Sequence, residues 1–157
     1  MRLDWNIISA ISDSLAAVAV VVSLLYLARQ IRDGSASASA TTHYEITQAL
    51  NNVFFDIAKD PSLSEIFHKG NRNPEELTNE EIPRYMTMVG VIFSIFNNLH
   101  LQYEKGTLVE ESWETGLSSI EHLVKNNGVR YWWQYNRAHY RPGFCAIIER
   151  KLADNME

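Results

Sequence analysis

Apolar positions follow two patterns along this chain. Residues 6–28 (N-I-I-S-A-I-S-D-S-L-A-A-V-A-V-V-V-S-L-L-Y-L-A) carry a single charge, Asp13, and residues 15–28 carry none. As an α-helix the segment would be about 35 Å long, enough for a hydrocarbon core of roughly 30 Å. The pattern predicts a membrane-spanning helix. After residue 42 apolar residues recur at intervals of three and four instead. Ile46, Ala49, Leu50, Val53, Phe54 and Ile57 mark one helix, ended by Asp60-Pro61. Leu63, Ile66 and Phe67 mark a short second one, with Gly70 as its stop and residues 71–74 as loop.

Thr78 and Glu81 have the spacing of a capping box, with Asn79 as an alternative cap because Pro83 lies deep in that first turn. The helix they open runs to about Glu104. Its apolar run at residues 86–96 is too short to cross a membrane and reads as the central core helix, with Gly90 marking close packing. Gly106-Thr107 makes a turn. A helix from Glu110 or Glu111 to Lys125 follows, and Asn126-Asn127-Gly128 reads as a left-handed stop. Residues 129–139 form a short aromatic helix, and residues 144–156 the last one. Nothing competes as a strand. The expected fold class is all-α: a single N-terminal transmembrane helix followed by a cytoplasmic helical bundle. Residues 1–33 are the anchor, 34–60 a stalk and first bundle helix, and 61–157 the C-terminal helical domain. Gly34 leaves two readings of the Ala/Ser-rich residues 34–42, a helical stalk or a flexible linker.

Three other readings of the first segment compete with a span. Small residues at 35–40 offer signal-peptidase sites, but Arg29, Gln30, Arg32 and Asp33 separate them from the apolar core. A buried core helix would tolerate the interruption at Asp13. An interfacial helix needs a polar face, which residues 15–28 lack. The flanks favour a span: Trp5 and Tyr26 sit where aromatic rings favour headgroups, and Arg29 and Arg32 follow the run while Arg2 alone precedes it. Positive-inside bias then puts the C-terminal domain in the cytoplasm. Ser9, Asp13, Ala17 and Val21 share one helical face. Asp13 there either faces a partner helix or water-filled path, or reaches shallowly to the headgroups.

Charge narrows the partners. The chain of 157 residues has a net charge of -5, and beyond residue 33 sixteen Asp or Glu face eleven Lys or Arg. An acidic domain without a basic cluster is a poor fit to nucleic acid. The single Cys145 excludes an intrachain disulfide and a multi-cysteine metal site, and it precedes an apolar stripe that favours a structural role. His100 and Glu104, four apart, are the weak metal candidates, with Glu121-His122 as the only nearby second pair; an ordinary helix-surface ion pair or a core-edge hydrogen bond is the preferred reading of them. No cofactor is called for. Arg130, Trp132 and Trp133 are a surface or interface candidate; the tryptophans also suit packing between the final helices, and Arg130 suits a carboxylate at Glu110, Glu111 or Glu114, or a lipid phosphate.

One resemblance covers nearly the whole chain. It rests on Trp5, on L-x-x-Q-I-R at Leu27, Gln30, Ile31 and Arg32, and on Asp60-Pro61-x-Leu63-x-x-Ile66-Phe67-x-x-Gly70. It continues through Leu77-Thr78-x-x-Glu81, Gln102-Tyr103-x-x-Gly106-x-Leu108, Trp113 and Gly128-Val129-Arg130-x-Trp132-Trp133. The set resembles a widespread family of uncharacterised bacterial membrane-anchored helical proteins. The sequence departs from that pattern at Val109, where an acidic cap is usual, and at Asn97, where a Glu is common. The resemblance implies topology and the bacterial inner membrane, not a mechanism. The expected function is a membrane-anchored structural or interaction protein, self-associating through its span and stalk, with no catalytic activity foreseen. The alternatives are a homo-oligomeric ion channel and an accessory subunit of a larger membrane complex.

Overall fold

A computed structural model describes the backbone of residues 5–154 and the side chains of residues 13–154. Every regular element among the described residues is helical. They are α1 (Trp5–Lys59), α2 (Pro61–Arg72), a 3-10 turn (Pro74–Glu76), α3 (Glu81–Glu104), α4 (Glu110–Leu123), α5 (Asn127–Asn136), a second 3-10 turn (Arg137–His139) and α6 (Pro142–Asp154). The chain divides into two compact units, one ending at Ala38 and the other beginning at Ser39. Gly34 lies within α1 with helical backbone, so the stalk reading holds over the linker reading. Alanine's helix propensity across residues 35–40 outweighs one glycine.

The second unit is built on α3. Tyr85, Val89, Ile92, Phe93, Phe96 and Leu99 are all buried, at spacings that put them in one stripe about a third of the helix circumference wide. Ile66 of α2, Ile120 of α4, Val129 of α5, and Phe144 and Ile148 of α6 close around them. Phe93 anchors an aromatic cluster, with Trp132 at 5.0 Å, Trp133 at 5.5 Å and Phe144 at 6.4 Å between ring centroids.

Two glycines differ from their sequence reading. Gly70 does not end its helix: α2 continues through it to Arg72. Gly128 is not left-handed either; it lies in the first turn of α5, and among the described residues only Gly106 has a positive φ, of 70°. Both are small because helices touch there. A Cβ on Gly70 would lie 2.6 Å from Cε2 of Tyr85, and one on Gly128 would overlap the Gly70 carbonyl oxygen and the Tyr85 hydroxyl. The pair lets α2 and α5 meet backbone to backbone beside the Tyr85 ring.

Helix ends are fixed by local hydrogen bonds. Asp60 caps α2, accepting from the amides of Ser62 at 2.8 Å and Leu63 at 3.2 Å, with Pro61 as the first helical residue. Thr78, not Asn79, caps the entry to α3: its amide donates to Glu81 Oε2 at 2.8 Å and its Oγ1 accepts from the Glu81 amide at 3.3 Å. Val109 precedes α4 without any side-chain cap. The last helix begins at Pro142 rather than Phe144, because proline is well accommodated at a first helical position.

Candidate functional site

The first unit carries the anchor candidate. Every residue from 13 to 38 is exposed, including Leu15 at 72%, Leu25 at 67% and Tyr26 at 69%. Among the described residues one helix is long and apolar enough to cross a membrane, and no part of its apolar window is buried against protein. A core helix would instead be mostly buried. Polar groups in the segment are few. Ser23 Oγ donates back to the Ala19 carbonyl at 2.8 Å, which satisfies the hydroxyl within the helix. Arg29 and Asp33 form an exposed pair at 3.9 Å just past the apolar run. Asp13, Ala17 and Val21 are exposed and fall on one face by their spacing of four. The side chains of Ser9 and Trp5, the remaining members of the expected interface, lie outside the described residues.

The bundle holds the metal candidates, and each carboxylate there has a cationic partner. His100 Nε2 is 3.8 Å from Glu104 Oε1, while the other Glu104 oxygen meets Arg141 at 2.7 Å. Glu121 meets Lys151 at 2.7 Å, which holds its pKa below the usual carboxylate range. His100 is buried, its ring 5.2 Å from Trp113 and 6.0 Å from Phe144, with Nδ1 unpartnered. Burial pushes its pKa down; Arg141 adds to this and Glu104 opposes it. Among the described residues no group of three His, Cys, Asp or Glu is placed to hold a metal ion. Cys145 Sγ faces the Arg137 carbonyl at 3.4 Å, and burial raises its pKa, the opposite of what a nucleophilic thiolate needs.

Trp132 and Trp133 need correcting. Neither is on the surface: they are 2% and 3% exposed, and Trp132 Nε1 donates to the Met86 carbonyl at 2.9 Å. They bind α5 to α3, as the packing alternative holds. Arg130 Nε donates to the Val124 carbonyl at 2.9 Å, at the C-terminal end of α4 where a cation meets the helix dipole favourably.

One further feature was not read from the sequence. A cleft of about 1020 Å³ opens between the second half of α1, α2, α4 and the start of α5. Leu50, Phe54, Phe67 and Leu123 give it an apolar floor, and His68, Arg72, His122 and Lys125 line it with basic groups. No Asp or Glu lines it. The spacing His68/Arg72 puts two basic groups on one face of α2, and His122 and Lys125 lie three apart across the end of α4, a signal present in the sequence. That the two pairs meet is a tertiary fact. A second cleft of about 760 Å³, between α1, α3 and α5, has Glu45 in its wall and no Lys or Arg.

No family model, curated protein or solved structure matches this chain. Its own geometry describes an all-helical protein with one helix suited to a membrane and, among the described residues, no obvious metal- or cysteine-based catalytic machinery.

Proposed function

We propose that the protein is a single-span membrane anchor carrying an acidic helical bundle, and that copies associate through the span and stalk. The observation that carries this is the uncovered apolar surface of α1, from Leu15 to Ile31, which nothing in its own fold buries. Apolar surface of this extent on one helix requires lipid or other helices around it. Asp13 at its edge, flanked at four-residue spacing by Ala17, supports helix association, because small side chains allow close approach and a carboxyl group in lipid seeks a partner. Arg29 and Arg32 support a cytoplasmic bundle, and the resemblance to membrane-anchored bacterial helical proteins supports an inner-membrane location. The role is to hold the bundle at the bilayer in several copies, at high local concentration.

The test is light scattering of the full chain in an uncharged detergent, with and without Asp13→Asn. A discrete oligomer that weakens in the variant is the expected result. A wild-type monomer overturns self-association. A foreign membrane protein retained at fixed ratio through mild extraction, and lost in the variant, would assign the carboxylate to an accessory-subunit contact instead. The homo-oligomeric channel reading predicts a cation conductance that Asp13→Asn changes. The uncharged residues 15–28 weigh against it, since a pore lined by them would be dry.

A further inference from the structure

The large cleft of the second unit has a chemistry that the anchoring role does not use. The chain is net -5, yet the walls of this cleft contain four basic groups and no carboxylate. His68 and Arg72 come from adjacent turns of α2, His122 from α4, and Lys125 from the segment between α4 and α5. Ser118 and Ser119 of α4 also line the cleft, the Ser119 hydroxyl donating back to the Thr115 carbonyl. Arg72 and Lys125 bring two full positive charges to it, and all four basic groups are accessible to a ligand. His68, His122 and Lys125 are exposed, and Arg72 is 79% exposed even while its Nη2 touches Glu76 at 3.3 Å. Glu76 competes for Arg72 on that side, and with Glu65 it lines an adjoining, smaller cleft that shares His68 and Arg72. Glu121 lies near Lys125 but is engaged by Lys151.

Beneath this basic rim the floor is apolar. Phe54 and Phe67 meet edge to face at 6.4 Å, and Leu50 and Leu123 extend the surface. A bare inorganic anion would leave that floor wet and would fill little of about 1020 Å³. An apolar ligand would leave the cations unmatched. A cleft of this size, apolar with a few convergent polar groups, has the usual build of a small-molecule site. Four basic groups around one opening suit a phosphate better than a carboxylate, because a phosphate offers three acceptor oxygens, up to two charges and a fork for arginine. A large acidic partner would be repelled by the rest of the net -5 surface, whereas a small ligand meets mainly the local walls.

We propose that this cleft binds a phosphate monoester carried on an apolar chain, with the phosphate between Arg72 and Lys125 and the chain on Phe54, Phe67 and Leu123. Such a ligand is either a lipid of the bilayer with a phosphate headgroup or a free single-chain phosphate. The site lies wholly in the second unit and does not depend on self-association.

The test uses full-length protein in uncharged maltoside micelles, titrated with dihexanoyl phosphatidic acid and followed by native mass spectrometry and calorimetry. One molecule per chain is expected. Affinity should fall at least tenfold in the double variant Arg72→Gln/Lys125→Gln and stay unchanged in Arg84→Gln/Arg150→Gln, which removes two cations outside the cleft. Dihexanoyl phosphatidylcholine should bind at least tenfold more weakly. Equal losses in both double variants would reduce the effect to diffuse charge and overturn the site. Inorganic phosphate binding as tightly as the amphiphile would overturn the role of the apolar floor. In phosphatidylcholine nanodiscs doped with long-chain phosphatidic acid, retention of that lipid by wild type and not by Arg72→Gln/Lys125→Gln identifies a bilayer source. Binding of the soluble short-chain form alone identifies a free one.

Discussion

At the scale of single residues, the tightest constraint in the bundle is the absence of two side chains. Gly70 and Gly128 come from different helices, and the backbone of one sits where the other's Cβ would be. Backbone cannot move aside as a flexible side-chain tip can. Gly128→Ala should therefore destabilise the bundle by about 3 kcal/mol, the upper end for an overpacked core. Gly90→Ala is the matched control: its Cβ would meet Trp132 Cζ2 at an ordinary 3.5 Å, and the exchange favours helix. Thermal melts of the full chain in uncharged detergent should show a large drop for the first and little change or a small gain for the second. Equal melting temperatures would remove the close-approach account of α2 and α5. His100 shows the opposite kind of constraint. Its ring packs beside Trp113 and Phe144 with Nδ1 left without a hydrogen bond, and the burial that suits its carbon atoms disfavours its charge.

At the scale of elements, the entry to α3 joins a cap to a tertiary ion pair. Glu81 Oε2 accepts from the Thr78 amide and also from Lys69 Nζ at 2.7 Å, so one carboxylate ties the start of α3 to α2. Lys69 first and the Thr78 amide next hold the Glu81 pKa below its ordinary value. A carboxyl with a lowered folded pKa stabilises above its unfolded pKa, near 4.3, and that stability is lost as pH falls through the folded value. Glu81→Gln should therefore melt below wild type at pH 7. The gap should close in acid, where the wild-type group is protonated as well. A gap of constant size from pH 7 to pH 3 would show that charge at Glu81 is not what holds the corner. The start of α4 lacks any such device at Val109, and its far end is held instead by Arg130 on the Val124 carbonyl.

At the scale of the whole molecule, the two units have opposite relations to solvent. The second has a covered core, in which Tyr85, Phe93, Phe96 and Phe144 are wholly or almost wholly buried, although single large side chains such as Phe55 and Tyr135 stay exposed. The first covers none of its own, from Leu15 to Leu27. The full chain should stay in the membrane pellet through an alkaline carbonate wash. The double variant Val21→Lys/Leu24→Lys places two charges mid-segment, each worth roughly 3 kcal/mol against insertion, and should move the protein to the supernatant with its helical circular dichroism retained. Wild-type protein that is water-soluble without detergent would sink both the anchor and the association built on it.

The sequence by itself determined which segments are helical and which one is too apolar to be left in water. Hydrophobic period and uninterrupted apolar length are local properties, and tertiary packing here reinforces them. It also marked the turn at Gly106 and narrowed the cap of α3 to Thr78 or Asn79, where chemistry and conformation lie within a few residues; the Thr78–Glu81 hydrogen bonds decided between them. Only the tertiary structure decided what the other glycines are for. A glycine suits a left-handed stop and a helix contact equally, and Gly70 and Gly128 took the second role because another helix arrived there. It decided the same for Trp132 and Trp133, whose size fits an interface or a core until α3 supplies the Met86 carbonyl and the Phe93 ring. The basic cleft was hidden for a related reason: His68 and Arg72 lie some fifty residues from His122 and Lys125. No local pattern records that two half-basic segments will meet over an apolar floor, because that meeting is a property of how the helices pack.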